Sequence, residues 1–585
     1  MQLIGGIKLN YRNKYELWIN SPEIDEKTKV ELKNIIDETE LEDRFYKDLE
    51  FGTGGLRGII GAGSNRLNIY TVGKATQGFA NYLNNKYTSS KVAIAYDSRH
   101  MSKEFSEYAA RVLAGNGIEV YLYDRLTPTP MLSYAVRELN CQGGIVLTAS
   151  HNPKEYNGYK VYGNDGCQVT DASANEIITF VNNIDSFDQV TVVDIKEAVD
   201  KKLVNYIGKE IYTSYINRVK ELTIRKDLVK NHGKDLKIIY TPIHGTGNIP
   251  VRRVLDELSY KNVEVVKEQE LPDGAFPTAP YPNPEDSKVF KLALEMAKDF
   301  EPDIILGTDP DCDRIGAVVK DNKGEYRVLT GNQVGVLLTH YIISSLKETG
   351  NLDTKGTIIK TIVSTDMIKP ICKEFNVQVK EVLTGFKYIG ELIRSFEEAP
   401  DNNEFLLGFE ESYGYLAGDF VRDKDAVIAA TLICEMTLYY KSIGKTLYEG
   451  LIELYESYGY YKEKLISIEL KGKEGQEKIK EIIEHFRNED IINFGDYRVS
   501  AKEDYKLSYR INVENSSKDI INLPKSNVIK FIFCNGCYFV VRPSGTEPKM
   551  KIYLGVSGEN NENSDKNLHY LEEAVLNSIK EFLPK

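Results

Sequence analysis

Short β-branched runs recur along this chain of 585 residues, each followed by a polar or glycine-rich loop and separated from the next by an amphipathic stretch. Residues 92–96, 145–147, 238–240, 304–306 and 405–407 read as buried strands. The stretches between them read as helices. The one that begins near Asp171 places Ile177, Phe180, Val181 and Ile184 at i, i+3, i+4 and i+7, and these four are expected in the core. Alternation of this kind specifies strand-helix-strand units, hence an α/β fold. Single cores stop growing near about 250–300 residues, so the length allows several domains, and three or four are expected.

Ligands of α/β sheets bind where strands end, and two such ends carry chemistry. The first is segment 148–160, which sets Ser150, His151, Asn152 and Pro153 directly after an apolar run. A serine hydroxyl is a poor nucleophile at neutral pH and needs a base, a metal or prior modification to enter covalent chemistry. Ser, Asn and Pro are also common turn formers, so alone the segment reads equally well as a turn. The second is Asp309-Pro310-Asp311-Cys312-Asp313-Arg314, after the run 303–308. Three carboxylates at alternate positions repel one another without a counter-charge, which points to a hard cation with oxygen ligands, magnesium first. A calcium loop needs Gly at its sixth position and Glu at its twelfth, where this chain has Arg314 and Lys320. A solvated acidic loop is the remaining alternative, although it leaves the apolar run and the loop arginine unexplained.

A formal charge of −13 argues against a general nucleic-acid binder, while leaving room for a small phosphorylated ligand held by local cations and backbone amides. Seven cysteines in so long a chain make no disulfide framework. The spacing Cys534-Asn535-Gly536-Cys537 suits zinc or redox chemistry, but Asn-Gly between two apolar runs is a tight hairpin turn, and no second ligand pair accompanies it. No apolar run approaches the roughly 18 residues of a membrane-spanning helix, and the opening residues lack the build of a signal peptide. A cytoplasmic location and no membrane partner are expected. Nucleotide loops fit poorly, since Arg57 replaces the third glycine of a dinucleotide loop and Tyr439 the first glycine of a P-loop ending at Thr446.

The two strand-end segments, with two more, resemble the α-D-phosphohexomutase family. Its T-A-S-H-N-P pattern matches at 148–153 and its metal loop D-x-D-x-D-R at 309–314. Its sugar loop G-E-x-S matches at 408–412 with Phe409 inserted, and its phosphate loop R-P-S-G-T-E-P at 542–548. With an arginine loop near residue 51 the likeness reaches over nearly the whole chain. It implies three successive related α/β domains and a smaller C-terminal α+β domain around a central cleft, with boundaries expected at 1–210, 211–325, 326–450 and 451–585. It also implies that Ser150 is carried as a phosphoserine, with Mg2+ bound by a phosphate oxygen on Ser150 and by Asp309, Asp311 and Asp313.

The reaction so implied interconverts a sugar 1-phosphate and 6-phosphate through a bisphosphorylated sugar. Glucose is favoured, with glucose 1,6-bisphosphate as intermediate and activator; mannose or pentose phosphates would use the same machinery. By matching position, Arg542, Ser544, Gly545 and Thr546 take the substrate's distal phosphate and Glu410 and Ser412 its hydroxyls. Lys387 matches a substrate-facing lysine, Arg314 a cation that screens the phosphoserine, and Arg57 an active-site arginine. Lys160 matches the general acid/base, with His151 as its rival. The partner is a small-molecule sugar phosphate, and the family includes monomers and homodimers. Two other classes stay open: a magnesium-dependent phosphatase with an aspartate nucleophile in 309–313, and a sugar-phosphate sensor that binds without turnover.

Overall fold

An all-apolar strand must be covered on both sides, and β4 (Gly143–Leu147) shows how this chain does it. A side chain at Gly143 would strike Phe79 of the helix Ile69–Lys86, and one at Gly144 would strike Val136 of the helix Thr129–Glu138, so one helix lies on each face. The computed structural model describes residues 2–583 except 53, 400–402, 471, 490 and 545–548. The chain separates into two compact units. One comprises Met1–Thr330, Phe386–Gly408 and Ser412–Thr446; the other comprises Gly331–Gly385, Phe409–Glu411 and Leu447–Lys585.

In the first unit, β4 joins β1 (Gly55–Ile59), β2 (Lys91–Tyr96), β3 (Glu119–Tyr123), β5 (Tyr156–Gly163) and β6 (Val204–Ile207) in the order β1-β5-β4-β2-β3-β6. The β4-β2-β3-β6 part is parallel, and β5 runs antiparallel to both β4 and β1. A second sheet follows, with β7 (Lys237–Thr241), β8 (Asn262–Val265), β9 (Ile304–Thr308), β10 (Ile315–Lys320) and β11 (Tyr326–Val328) in the order β11-β10-β9-β7-β8. Of the four residues expected on the core face after Asp171, Ile177, Val181 and Ile184 are buried, whereas Phe180 is only half-buried. The helix Asp171–Asn182 approaches Ile69–Lys86 so closely at Gly78 that Val181 fills the contact, and Phe180 is turned toward the rim against Tyr82.

Ahead of the first sheet stand three helices, Gln2–Asn20, Glu26–Lys33 and Glu38–Phe45, which the sequence reading did not separate from the first domain. Their core is aromatic: Trp18 meets Phe45, Tyr70 and Phe187 edge-on, with ring centroids 5.4–5.8 Å apart. Among the described residues no single helix is long and apolar enough to cross a membrane.

The second unit holds the parallel pair β12 (Gly356–Thr361) and β13 (Gln378–Val382). The chain then passes through β14 (Glu404–Glu410) and β15 (Gly414–Leu416) before the unit's C-terminal antiparallel sheet. That sheet contains β16 (Tyr460–Glu469), β17 (Asn493–Phe494), β18 (Tyr497–Asp504), β19 (Tyr509–Asn512), β20 (Lys518–Ile520), β21 (Ile529–Phe533), β22 (Tyr538–Pro543) and β23 (Lys549–Gly558). Its order is β16-β23-β22-β21-β18-β19-β20, with β17 on β18. Cys534-Asn535-Gly536-Cys537 forms the tight turn between β21 and β22, with Gly536 at φ +82°, as a hairpin requires. The closing helix Asn561–Ser578 begins inside the polar run, because the Asn560 side chain caps the Asn563 amide at 2.9 Å.

Phe531 and Phe539 face each other across β21 and β22, stacked at 4.9 Å, and Phe486 and Phe494 pack edge-on against both. Replacing Phe539 with Ala should therefore cost about 3–5 kcal/mol in the C-terminal sheet. Calorimetry should show a transition of this sheet moved to lower temperature, while the transition of the first unit stays in place.

Candidate active site

The geometry of the site follows from how closely three backbones converge beside Ser150. Gly158 of β5 lies opposite Arg57 of β1, and the Thr148 amide donates to the Gly158 carbonyl at 3.0 Å. A Cβ at Gly158 would sit 2.4 Å from the Thr148 carbonyl oxygen and 3.1 Å from that of Leu56, so only glycine allows the approach. The chain then turns. Its amide pinned at 2.8 Å by the Thr148 hydroxyl, Ser150 adopts φ +52°, a left-handed conformation that costs a non-glycine residue energy and is held by its surroundings. Two residues beyond Gly158 on β5, Lys160 enters the same space.

The second sheet delivers the acids. β9 and β10 pair as a hairpin, Thr308 opposite Ile315, and the connecting residues 309–314 curl around Asp309. Asp309 Oδ1 accepts the amides of Asp313 at 3.1 Å and Arg314 at 3.0 Å, which turns Oδ2 outward, where it accepts the Ser150 hydroxyl at 2.8 Å. Asp311 Oδ2 accepts from Lys160 Nζ and from the Thr129 hydroxyl, each at 3.0 Å. Asp313 Oδ2 pairs with Lys424 Nζ at 3.0 Å and lies 3.8 Å from Lys160 Nζ. All three acids are buried.

A metal ion fits this set. One carboxylate oxygen from each of the three aspartates can be chosen so that all lie within 4.8 Å of one another, and Asp311 Oδ1 and Asp313 Oδ1 are buried without a hydrogen-bond partner. Burial, then the charges of Asp311 and Asp313, push the Asp309 carboxyl well above its ordinary range. Burial also opposes ionisation of Asp311, but the Lys160 ammonium overrides it and holds that carboxyl far below its usual range. Three cations, Lys160, Lys424 and Arg314, act on the trio, and Lys424 is shared at 3.1 Å with Asp423, so four buried acids crowd around three cations. An esterified serine would add a charge of about −2 beside them. Hard oxygen donors of this kind suit magnesium.

The His151 ring stands beside the serine, Nδ1 3.2 Å from Ser150 Oγ and accepting a hydrogen bond from Arg314 Nη1. Burial, then the charges of Arg314 and Arg57, push its pKa well below the ordinary histidine value, so the ring is neutral. The hydroxyl proton of Ser150 points to Asp309 rather than to His151, an arrangement unlike the serine-histidine pair of a hydrolase. Arg57 Nη1 donates to Asn152 Oδ1 at 3.2 Å.

Thus Ser150, His151, Arg57, Lys160, Asp309, Asp311, Asp313 and Arg314 converge in the first unit. In the same unit Lys387 Nζ donates to Asp171 Oδ1 at 2.6 Å, and Ser412 lies half-buried in a turn. Within the second unit, Glu410 is buried at the end of β14, its Oε1 accepting the Gly385 amide at 3.0 Å. Arg542 stands on β22 opposite Lys551 of β23, and the Ser544 amide donates to the Lys549 carbonyl at 2.7 Å. Gly545 and Thr546 lie outside the described residues. Sequence reasoning missed Lys424 and Thr129. Lys424 belongs to the charged run Arg422-Asp423-Lys424-Asp425, which resembles a solvated turn but is buried throughout, with Tyr162 donating to Asp423 at 2.6 Å and Asp425 capping the helix Ala426–Ser442. The signal was there: four charges running directly into an apolar helix.

Comparison with known proteins agrees with this geometry. Residues 48–188, 213–324 and 330–458 match the phosphoglucomutase/phosphomannomutase alpha/beta/alpha domains I, II and III. A phosphoglucomutase of Staphylococcus haemolyticus is 39% identical over 528 residues, 90% of this chain and 94% of the relative. Another, of Staphylococcus epidermidis, is 40% identical over 512 residues, 87% and 91%. The fold is shared with parafusin, a phosphoglucomutase of Paramecium, at TM-score 0.68 and 18% identity, over 92% of this chain and 96% of that one. A phosphoglucomutase/phosphomannomutase family protein of Burkholderia thailandensis gives TM-score 0.63 and 16% identity, over 91% and 97%. Three α/β/α domains and an antiparallel C-terminal domain, with a serine hydroxyl set against an aspartate trio, define a phosphosugar mutase, an isomerase that moves phosphate within its substrate. The chain belongs to the α-D-phosphohexomutase family.

Removing one ligand charge from a hard-cation site costs at least about 1.4 kcal/mol, a tenfold change in affinity. Asp311→Asn should accordingly weaken Mg2+ binding about tenfold or more in calorimetric titration, with the thermal midpoint of the metal-free protein lowered because Lys160 loses its buried partner.

Proposed function

We propose that the protein is a magnesium-dependent phosphoglucomutase that interconverts glucose 1-phosphate and glucose 6-phosphate through a phosphoserine at Ser150 and glucose 1,6-bisphosphate. The observation that carries this reading is the 2.8 Å approach of Ser150 Oγ to Asp309 within a buried three-aspartate cradle. The staphylococcal phosphoglucomutases, similar over about nine-tenths of the chain, favour glucose over mannose or a pentose. A cytoplasmic site of action and the domain boundaries at 210, 325 and 450 belong to the same proposal.

In this reading a free sugar hydroxyl attacks the phosphorus held on Ser150. The bond from phosphorus to Oγ breaks, and Lys160, paired with Asp311 at 3.0 Å, gives a proton to the leaving oxygen and regains one from the attacking hydroxyl. The bisphosphorylated sugar turns end for end, and Oγ takes the other phosphoryl group. A Mg2+ ion on Asp309, Asp311 and Asp313 would draw charge from the phosphoryl group during transfer. Arg57 and Arg314 hold the equatorial oxygens, and neutral His151 accepts from Arg314 and fixes its direction. Glu410, Ser412 and Lys387 meet the sugar hydroxyls, while Arg542, Ser544, Gly545 and Thr546 take the phosphate that is not reacting.

Purified protein should contain a fraction heavier by one phosphoryl group, mapped to Ser150 by peptide mass spectrometry. Ser150→Ala should lack that fraction and lose about 10⁴-fold or more in kcat/KM for glucose 1-phosphate, as expected when the covalent nucleophile is removed. Chelation should abolish turnover and Mg2+ restore it. Release of inorganic phosphate by the Ser150→Ala variant at the wild-type rate would establish the phosphatase reading instead. A kcat/KM for mannose or ribose 1-phosphate above that for glucose 1-phosphate would reassign the sugar.

A further inference from the structure

Ser150 is held in its left-handed conformation by a residue outside every motif considered so far. Arg99 follows β2, and its side chain is fully buried. Its Nη2 donates to the carbonyls of Ser150 at 2.6 Å and Asn152 at 2.5 Å, and its Nη1 to those of Pro153 at 2.9 Å and Tyr156 at 3.0 Å. One guanidinium therefore gathers four carbonyls of the turn that bears the serine. Its Nε faces Asp97 Oδ2 at 3.4 Å, an ion pair without a hydrogen bond, and Asp97 Oδ1 is fixed by the Arg99 amide at 2.9 Å and the Ser102 hydroxyl at 2.7 Å.

The opposite side of the guanidinium is closed by the loop between the first two strands of the second sheet and its metal hairpin. Phe276 lies under it, the guanidinium carbon 5.0 Å from the ring centroid. Gly274 packs on the backbone of Arg99 so tightly that a Cβ there would lie 2.6 Å from the His100 nitrogen and 2.9 Å from the Ser98 carbonyl oxygen. Phe276 is itself buried and left-handed, at φ +45°. The clamp thus has one jaw on each of the two sheets that Ser150 and Asp309 come from.

We propose that Arg99 is a positioning residue for phosphoryl transfer: by gripping the carbonyls of residues 150–156 against Phe276, it sets the direction of Ser150 Oγ toward the aspartate cradle. Planarity and four correctly spaced N–H donors do this, and charge alone does not. A lysine offers three donors on a point charge and cannot span the four carbonyls. Misplacing a reacting atom by about 1 Å costs on the order of 10²-fold in rate.

The inference rests on the phosphoserine reading, and the test separates the two. In Arg99→Lys, kcat for glucose 1-phosphate should fall about 10²-fold with KM within about threefold of wild type. Hydrogen exchange should accelerate at the amides of residues 150–152 and 154–156 with the remainder of the sheet still protected. Arg99→Ala should regain at least about tenfold of its lost kcat, saturably, on addition of ethylguanidinium at concentrations that leave its melting temperature unchanged, whereas ethylammonium should restore none. Phe276→Leu, which keeps the core filled, should show a smaller loss of the same kind and serves if Arg99→Ala does not fold. An Arg99→Lys enzyme with kcat within twofold of wild type, or equal rescue by both additives, would overturn the proposal. Absence of mutase turnover and of phosphoserine in the wild-type protein would defeat the functional reading alone, because the exchange measurement still reports whether Arg99 holds the turn.

Discussion

The candidate site of the first unit is organised by crowded buried carboxylates. Asp309, Asp311 and Asp313 are buried together among Lys160, Lys424 and Arg314, and a buried carboxylate without compensation is costly enough to be protonated instead. Everything around the trio either supplies positive potential or fixes where the remaining oxygens point. The hairpin between β9 and β10 closes on Asp309 through its own amides, the middle of β5 brings Lys160, and the run 422–425 brings Lys424. In the proposed reaction the serine turn is the partner whose charge changes, by gaining or losing a phosphoryl group.

The second unit buries charge as well, with a different result. Lys360, wholly buried, pairs with Asp366 at 3.0 Å and Glu381 at 2.9 Å, and Lys369 meets the same two acids at 2.9 and 3.1 Å. Lys360 also donates to the Thr361 and Ser364 carbonyls, and Lys530 of β21 to that of Ile362. Lys360, Lys369 and Lys530 all act on these two acids, so this cluster has no call for a cation and serves to hold the turn after β12. The contrast is one of geometry: in the aspartate trio one oxygen from each of three carboxylates gathers within 4.8 Å of the others.

Much of this was legible in the sequence because the chemistry sits in contiguous segments. Residues 148–160 and 309–314 each place their functional side chains within a few positions of a strand end, so strand recognition pointed to the segments and the family resemblance gave Ser150 and Lys160 their roles. The charged run 422–425 marked Lys424 without showing what it would meet, and the contributions of Thr129 and Arg99 were hidden because their roles depend on long-range contact; nothing within ten residues of Arg99 says that its guanidinium will reach the carbonyls of 150–156. Phe180 shows the same limit on a smaller scale. Periodicity placed it on the core face, but the close approach at Gly78 selected Val181 and turned its neighbour outward. The three N-terminal helices escaped notice since their core is built from scattered aromatic residues and not from a regular stripe.

Trp18 is the sole indole in the chain, and it is enclosed by Phe45, Tyr70 and Phe187 in that helical cluster. Light absorbed by indole alone therefore illuminates one corner of a large molecule. Emission during denaturation follows the detachment of the N-terminal helices from the first sheet, and the C-terminal sheet could melt and refold unseen.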